Sequence, residues 1–166
     1  MKSAVNGTVS PLQTAARDLG VIVRCHQLVC AIPVRWVSRL VLPEEITLIG
    51  TSVVDSGSGR HAAWNLGERL GLPPVKDAWV LLSIPHASAQ IPIALATGTC
   101  LVVQPLPEHV VLPQGLFKER RGAIAGVFVP EASHAAACGV ELDIPLLWSA
   151  SELDASAALV RRQRAR

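Results

Sequence analysis

Residues 78–107 read AWVLLSIPHASAQIPIALATGTCLVVQPLP and contain no Asp, Glu, Lys or Arg. An uncharged stretch of this length resembles a membrane span, but Pro85, Pro92 and Pro105 would break a single helix. The polar segment at 86–90 also divides it into two apolar runs, each too short to cross a bilayer about 30 Å thick. The stretch therefore predicts a buried β-hairpin, and we expect no direct insertion into a membrane.

Short β-branched runs separated by turn-forming residues occupy much of the chain outside this hairpin. The strand-like runs lie at 19–24, 28–34, 37–42, 46–54, 61–64, 79–84, 91–96, 100–104, 110–112, 122–129 and 139–142. Their spacing is about 8–12 residues, and no amphipathic helix of about 10–15 residues lies between them to support a βαβ crossover. We therefore expect a mainly β fold of roughly ten strands, arranged as small barrels or a sandwich.

The length of 166 residues is typical of one domain. We place that domain at 19–153, between a flexible or helical leader at 1–18 and a basic tail at 154–166. Short helical segments are expected at 65–72 and 145–153, as connections and near the C-terminus. The leader lacks the apolar run and cleavage site of a secretory signal, which predicts a cytoplasmic protein with reduced thiols.

The composition favours protein binding over nucleic-acid binding. Hydrophobic residues make up 50% of the chain and the mean hydropathy is +0.39, which leaves apolar surface for a partner. Charged residues make up 17% and the net charge is +2, too little to neutralise a phosphate backbone. Nucleic acid is therefore not an expected partner.

No set of residues matches a catalytic or metal-binding pattern well. Residues 57–62, GSGRHA, formally match a dinucleotide-binding motif, but the helix after them is only about two turns long, which favours a glycine-rich hairpin. Cys25, Cys30, Cys100 and Cys138 lack zinc-ligand spacing and lie in apolar runs that are typical of buried thiols. We expect no enzyme activity, metal or cofactor, although catalysis by a cysteine with a distant histidine stays open.

A faint internal repeat accompanies the strands. Ala31 precedes the segment LPEEI at 42–46, and Ala94 precedes LPEHV at 106–110 at nearly the same separation. The repeat predicts that the two halves of the chain form similar barrels.

The order of features over 19–153 resembles the CheW-like domain of bacterial chemosensory systems. The similar segments are VCAIPV at 29–34, VSRL at 37–40, AWNL at 63–66, LGL at 70–72, GAIAGVF at 122–128 and VELDIPLL at 140–147. The resemblance implies two small five-stranded β-barrels packed on a shared hydrophobic core, with short helices at connections and the C-terminus. It also implies a scaffold without activity of its own, which links chemoreceptors to the histidine kinase CheA.

The resemblance assigns partner contact to Val37, Arg39 and Leu40, on the strand that follows the first hairpin. The family's usual Arg-Gly pair is absent, because Gly57 and Ser58 occupy its place, and Arg60 is the nearest replacement. Arg39 also stands where the family commonly has Glu. These departures favour protein binding in general over receptor coupling in particular.

The leading hypothesis is therefore a cytoplasmic adaptor whose partner is a CheA-type histidine kinase, a chemoreceptor or another signalling or motility protein. Two other functions are compatible with the sequence. A small β-barrel enzyme or ligand carrier would use a pocket between the barrels. A structural assembly module would serve a motility or polarity complex without signalling.

Overall fold

The computed structural model describes residues 19–111, 123–134, 136 and 138–164. About half of this part of the chain is β-strand and little of it is helix, in agreement with the mainly β class that the sequence predicts. The strands are β1 (Leu19–Cys25), β2 (Leu28–Pro33), β3 (Val37–Val41), β4 (Thr47–Ile49), β5 (Val53–Asp55), β6 (Arg60–Asn65), β7 (Ala78–His86), β8 (Ala89–Thr97), β9 (Cys100–Pro105), β10 (Val110–Val111), β11 (Ile124–Phe128) and β12 (Cys138–Leu142). The α-helices are α1 (Leu66–Leu70) and α2 (Ala150–Arg164). Four short 3-10 helices lie at Val34–Trp36, Pro43–Glu45, Ala132–His134 and Ile144–Leu147.

The strands form two mixed sheets of six strands each. Sheet 1 has the order β10-β11-β12-β2-β1-β9, and sheet 2 has the order β3-β7-β8-β6-β5-β4. The mainly β class is confirmed, but each sheet has six strands rather than the expected five, and strand pairing in the described residues does not close either sheet into a barrel.

The internal repeat predicts two similar barrels, one from each half of the chain. The two sheets do not divide the chain in this way. The chain leaves sheet 1 after β2, builds all of sheet 2, and returns to sheet 1 with β9. The last strand, β12, joins sheet 1 by pairing parallel with β2, and in this pairing Cys30 lies opposite Val140. Because this pairing joins distant segments, no local pattern in the sequence encodes it.

The predicted central hairpin is confirmed as β7 and β8. The strands pair antiparallel from Ala78 opposite Thr97 to His86 opposite Ala89, and Ala87 in the turn has a φ of 52°. One face of the hairpin contributes six fully or nearly buried side chains to a core. They are Val80, Leu82, Ile84, Ile91, Ile93 and Leu95.

Side chains from both sheets meet in this shared core. Sheet 1 contributes Val23, Cys30 and Leu142, which are buried in the same cluster as the hairpin residues of sheet 2. Burial of each large aliphatic side chain stabilises the fold by about 1.5–3 kcal/mol relative to exposure. Each sheet also has a smaller apolar cluster on its other side, one around Ile22 in sheet 1 and one around Leu81 in sheet 2.

The strand predicted at 46–54 is divided into β4 and β5. Gly50 lies between them with a φ of +66°, a backbone conformation that glycine adopts without steric cost. The chain therefore reverses at 50–52, and Leu48 of β4 lies opposite Val54 of β5. The turn was not predicted, because 46–54 was interpreted as a single strand.

The helix α2 begins at Ala150, inside the predicted helical segment, and continues through the C-terminal tail, which the sequence also predicts as helical, to Arg164. Ser149 and Glu152 form a reciprocal cap, in which the Ser149 backbone N–H donates to Glu152 Oε2 at 2.7 Å and the Glu152 N–H donates to Ser149 Oγ at 3.3 Å. Leu153, Ala157 and Val160 recur at helical spacing and are buried, and the helix contacts β6 and β8. The domain boundary expected at Leu153 thus falls inside a packed helix, and much of the expected basic tail belongs to it.

In the part of the chain that the structure describes, no helix combines the length and the apolar character that crossing a membrane requires.

Candidate functional site

Three of the four residues expected to contact a partner lie together on β3, an edge strand of sheet 2. Val37 lies opposite Leu82 of β7 and packs half-buried against the shared core. Leu40 is 37% exposed, and Leu42 just after the strand is 55% exposed. We call Arg39, Leu40 and Leu42 the β3 edge surface.

Arg39 is held in place on this surface by an acidic side chain. Its Nη2 donates to Glu45 Oε1 at 2.6 Å, while Glu45 Oε2 accepts the backbone N–H of Leu42 at 2.9 Å. Both charged side chains are well exposed, so the ion pair adds at most about 1 kcal/mol to stability. Its main consequence is geometric, because it holds the guanidinium at a carboxylate that is itself bound to the backbone of Leu42.

Arg60 does not lie beside the other three residues. It is the first residue of β6 and faces Asp55 of β5 across the hairpin that the glycine-rich segment forms. Strands β7 and β8 separate β6 from β3, so Arg60 is about 14 Å from β3 along the sheet. If Arg60 contacts a partner, it does so at a different point from the β3 edge surface.

A groove that was not expected from the sequence also lies on sheet 2, and its lining begins at Pro43, next to the β3 edge surface. It has a volume of about 930 Å³ and runs between α2 and β4, across the ends of β6, β7 and β8. We call it the α2 groove. Its larger apolar lining residues are Ile46, Leu48, Trp64, Trp79 and Leu159, and its charged lining residues are Glu68 and Lys76.

The wall that α2 forms is anchored by Arg69 of α1. The guanidinium donates to both carboxylate oxygens of Glu152, at 2.7 and 3.1 Å, and also to the Leu147 carbonyl. Its Cζ lies 5.0 Å from the centroid of the Trp64 ring and 6.0 Å from that of Trp148, and the two indoles contact each other edge to face with centroids 6.4 Å apart. The hydrogen bond from Arg69 lowers the pKa of Glu152 to about 2. This network joins α1, α2 and the groove residue Trp64.

A buried histidine–carboxylate pair lies on sheet 1. His109 Nδ1 is 2.8 Å from Glu141 Oε2, although the atoms are not aligned for a hydrogen bond, and Glu141 is only 7% exposed. The His109 ring packs against Gly126, where a Cβ would lie 2.2 Å from the imidazole Cδ2. The nearby hollow, lined by Phe128 and His134, measures about 290 Å³ and is much smaller than the α2 groove.

The cysteines have the buried environment that the sequence predicts. Cys25 and Cys30 are fully buried, Cys100 and Cys138 are half-buried, and all four pack against the shared core. Burial strongly raises the pKa of the Cys30 thiol, and the neighbouring Cys25 and Cys138 raise it further. Burial also raises the pKa of Cys25 and Cys100. Such thiols are poor nucleophiles near neutral pH.

Metal-ligating side chains do not cluster in the described residues, where no group of three or more His, Cys, Asp or Glu could hold a metal ion. Sheet 2 instead exposes apolar side chains near charged side chains that ion pairs hold in position. The sequence pointed to the β3 edge surface but not to the α2 groove, because the groove combines residues from distant segments of the chain. The capping pair Ser149 and Glu152 was the signal that could have located the helical wall.

Comparison with known proteins identifies the fold. No protein-family model matches the chain, and no curated protein matches it in sequence. A solved structure of the scaffolding protein TtCheW from Thermoanaerobacter tengcongensis is similar, with a TM-score of 0.58 and 12% sequence identity. The similarity covers 80% of this chain and 93% of that one. The two-sheet architecture described above is therefore a CheW-like fold.

Proposed function

We propose that this chain is a non-enzymatic adaptor in bacterial chemosensory two-component signalling. Its partner would be a CheA-type histidine kinase, a chemoreceptor or another cytoplasmic signalling or motility protein. The observation that carries the proposal is the likeness of fold to a scaffolding protein over most of both chains.

The surface of sheet 2 supports a role in protein binding. Leu40 and Leu42 expose apolar side chains on a paired strand that is anchored to the shared core through Val37. Exposed apolar groups on a rigid support bind with little loss of conformational entropy. We assign partner contact to Val37, Arg39 and Leu40, and a separate contact to Arg60.

The proposal is tested by pull-down of the host's CheA-type kinases and chemoreceptors on the immobilised chain. We expect at least one of these proteins to be retained, and we expect Arg39→Ala combined with Leu40→Ala to reduce retention strongly. Val129, which is 92% exposed after β11, provides the control variant Val129→Ala, which should bind like the wild type. If no kinase or receptor is retained, the chemosensory role is wrong.

The enzyme alternative predicts a reactive cysteine, whereas the adaptor does not need one. Because burial raises the pKa of Cys25, Cys30 and Cys100, and Cys138 packs half-buried against the core, we expect all four thiols to react much more slowly with a maleimide in the native chain than in urea. Mass spectrometry of partially labelled chain identifies each site. One thiol that reacts as fast in the native chain as in urea would favour the enzyme or carrier.

A further inference from the structure

We draw no further inference here: the strongest candidate, the α2 groove on sheet 2, carries only Glu68 and Lys76 as charged lining residues, so its charge selects no class of partner, and nothing in the structure shows what covers it.

Discussion

The two sheets share one core, but they differ on the sides that face away from it. On sheet 1, Phe128 covers Gly139, where a Cβ would lie 2.3 Å from the ring, and the His109–Glu141 pair lies beside the same cluster. On sheet 2, the cluster around Leu81 opens toward Leu48 and the α2 groove. Both sheets expose apolar side chains, among them Val103 and Val110 on sheet 1 and Leu40 and Leu48 on sheet 2, but the α2 groove on sheet 2 is much larger than the hollow beside Phe128. We infer that sheet 1 mainly stabilises the fold and that sheet 2 mainly binds.

The largest expected effect comes from matched truncations on the two sides. Phe128→Ala should lower the free energy of unfolding by about 3–4 kcal/mol, since it removes a ring that is 8% exposed. Leu48→Ala should change it by less than about 0.5 kcal/mol, since the side chain is 62% exposed. Urea denaturation measures both values. Equal losses in the free energy of unfolding would mean that the groove belongs to the core, and the two sheets would then not differ in this respect.

The next effect concerns the anchor of the groove wall. Arg69→Ala should lower the free energy of unfolding by about 2–3 kcal/mol, because it removes the hydrogen bonds to Glu152 and Leu147 and the cation–π contacts with two tryptophans. Arg69→Lys should restore less than half of this loss, because an ammonium lacks the planar fork. A full rescue by Lys would show that charge alone fixes α2.

These elements also show which features of the fold can be predicted from local sequence patterns and which cannot. The β7–β8 hairpin could be predicted because its two apolar runs and polar turn are adjacent in sequence. The division at Gly50 was missed because the flanking residues form one apolar run. The parallel pairing of β6 with β8 could not be predicted, because a polar and apolar pattern does not specify a strand's neighbour.

The same limit applies to the candidate site. Val37, Arg39 and Leu40 lie on one strand, which a local sequence pattern can predict. Arg60 could not be positioned relative to them without the strand order of sheet 2. The α2 groove combines segments from residue 43 to residue 159, so it exists only after long-range packing.

A smaller effect distinguishes the buried and exposed histidine–acid pairs. His109→Ala should lower the free energy of unfolding by about 1–2 kcal/mol, because it leaves the buried Glu141 carboxylate without its neighbour. The matched variant is His86→Ala, which loses a 2.9 Å contact with Asp154, a side chain 74% exposed. Its cost should stay below about 0.5 kcal/mol. Denaturation at pH 7 compares the two, and equal costs would contradict the difference in burial.

The smallest effect is a pH dependence in the groove wall. The pKa of Glu152 is about 2 in the folded chain and 4.5 ordinarily, so its contribution is fully present above pH 4.5 and is lost as the pH falls toward 2. Because a third of the side chain is exposed, screening limits this contribution to about 1 kcal/mol. The difference in stability between wild type and Glu152→Gln should therefore be larger at pH 7 than at pH 3. A difference that does not change with pH would show that Glu152 is not coupled to Arg69 as described.

The central claim is that the chain is an adaptor, and calorimetric titration with the host's CheA-type kinase and the cytoplasmic part of its chemoreceptors tests it most directly. The adaptor proposal predicts saturable binding to at least one of them. It also predicts clear weakening by Arg39→Ala with Leu40→Ala, and none by Val129→Ala. Absence of heat and of complex formation with every kinase and receptor tested would contradict it.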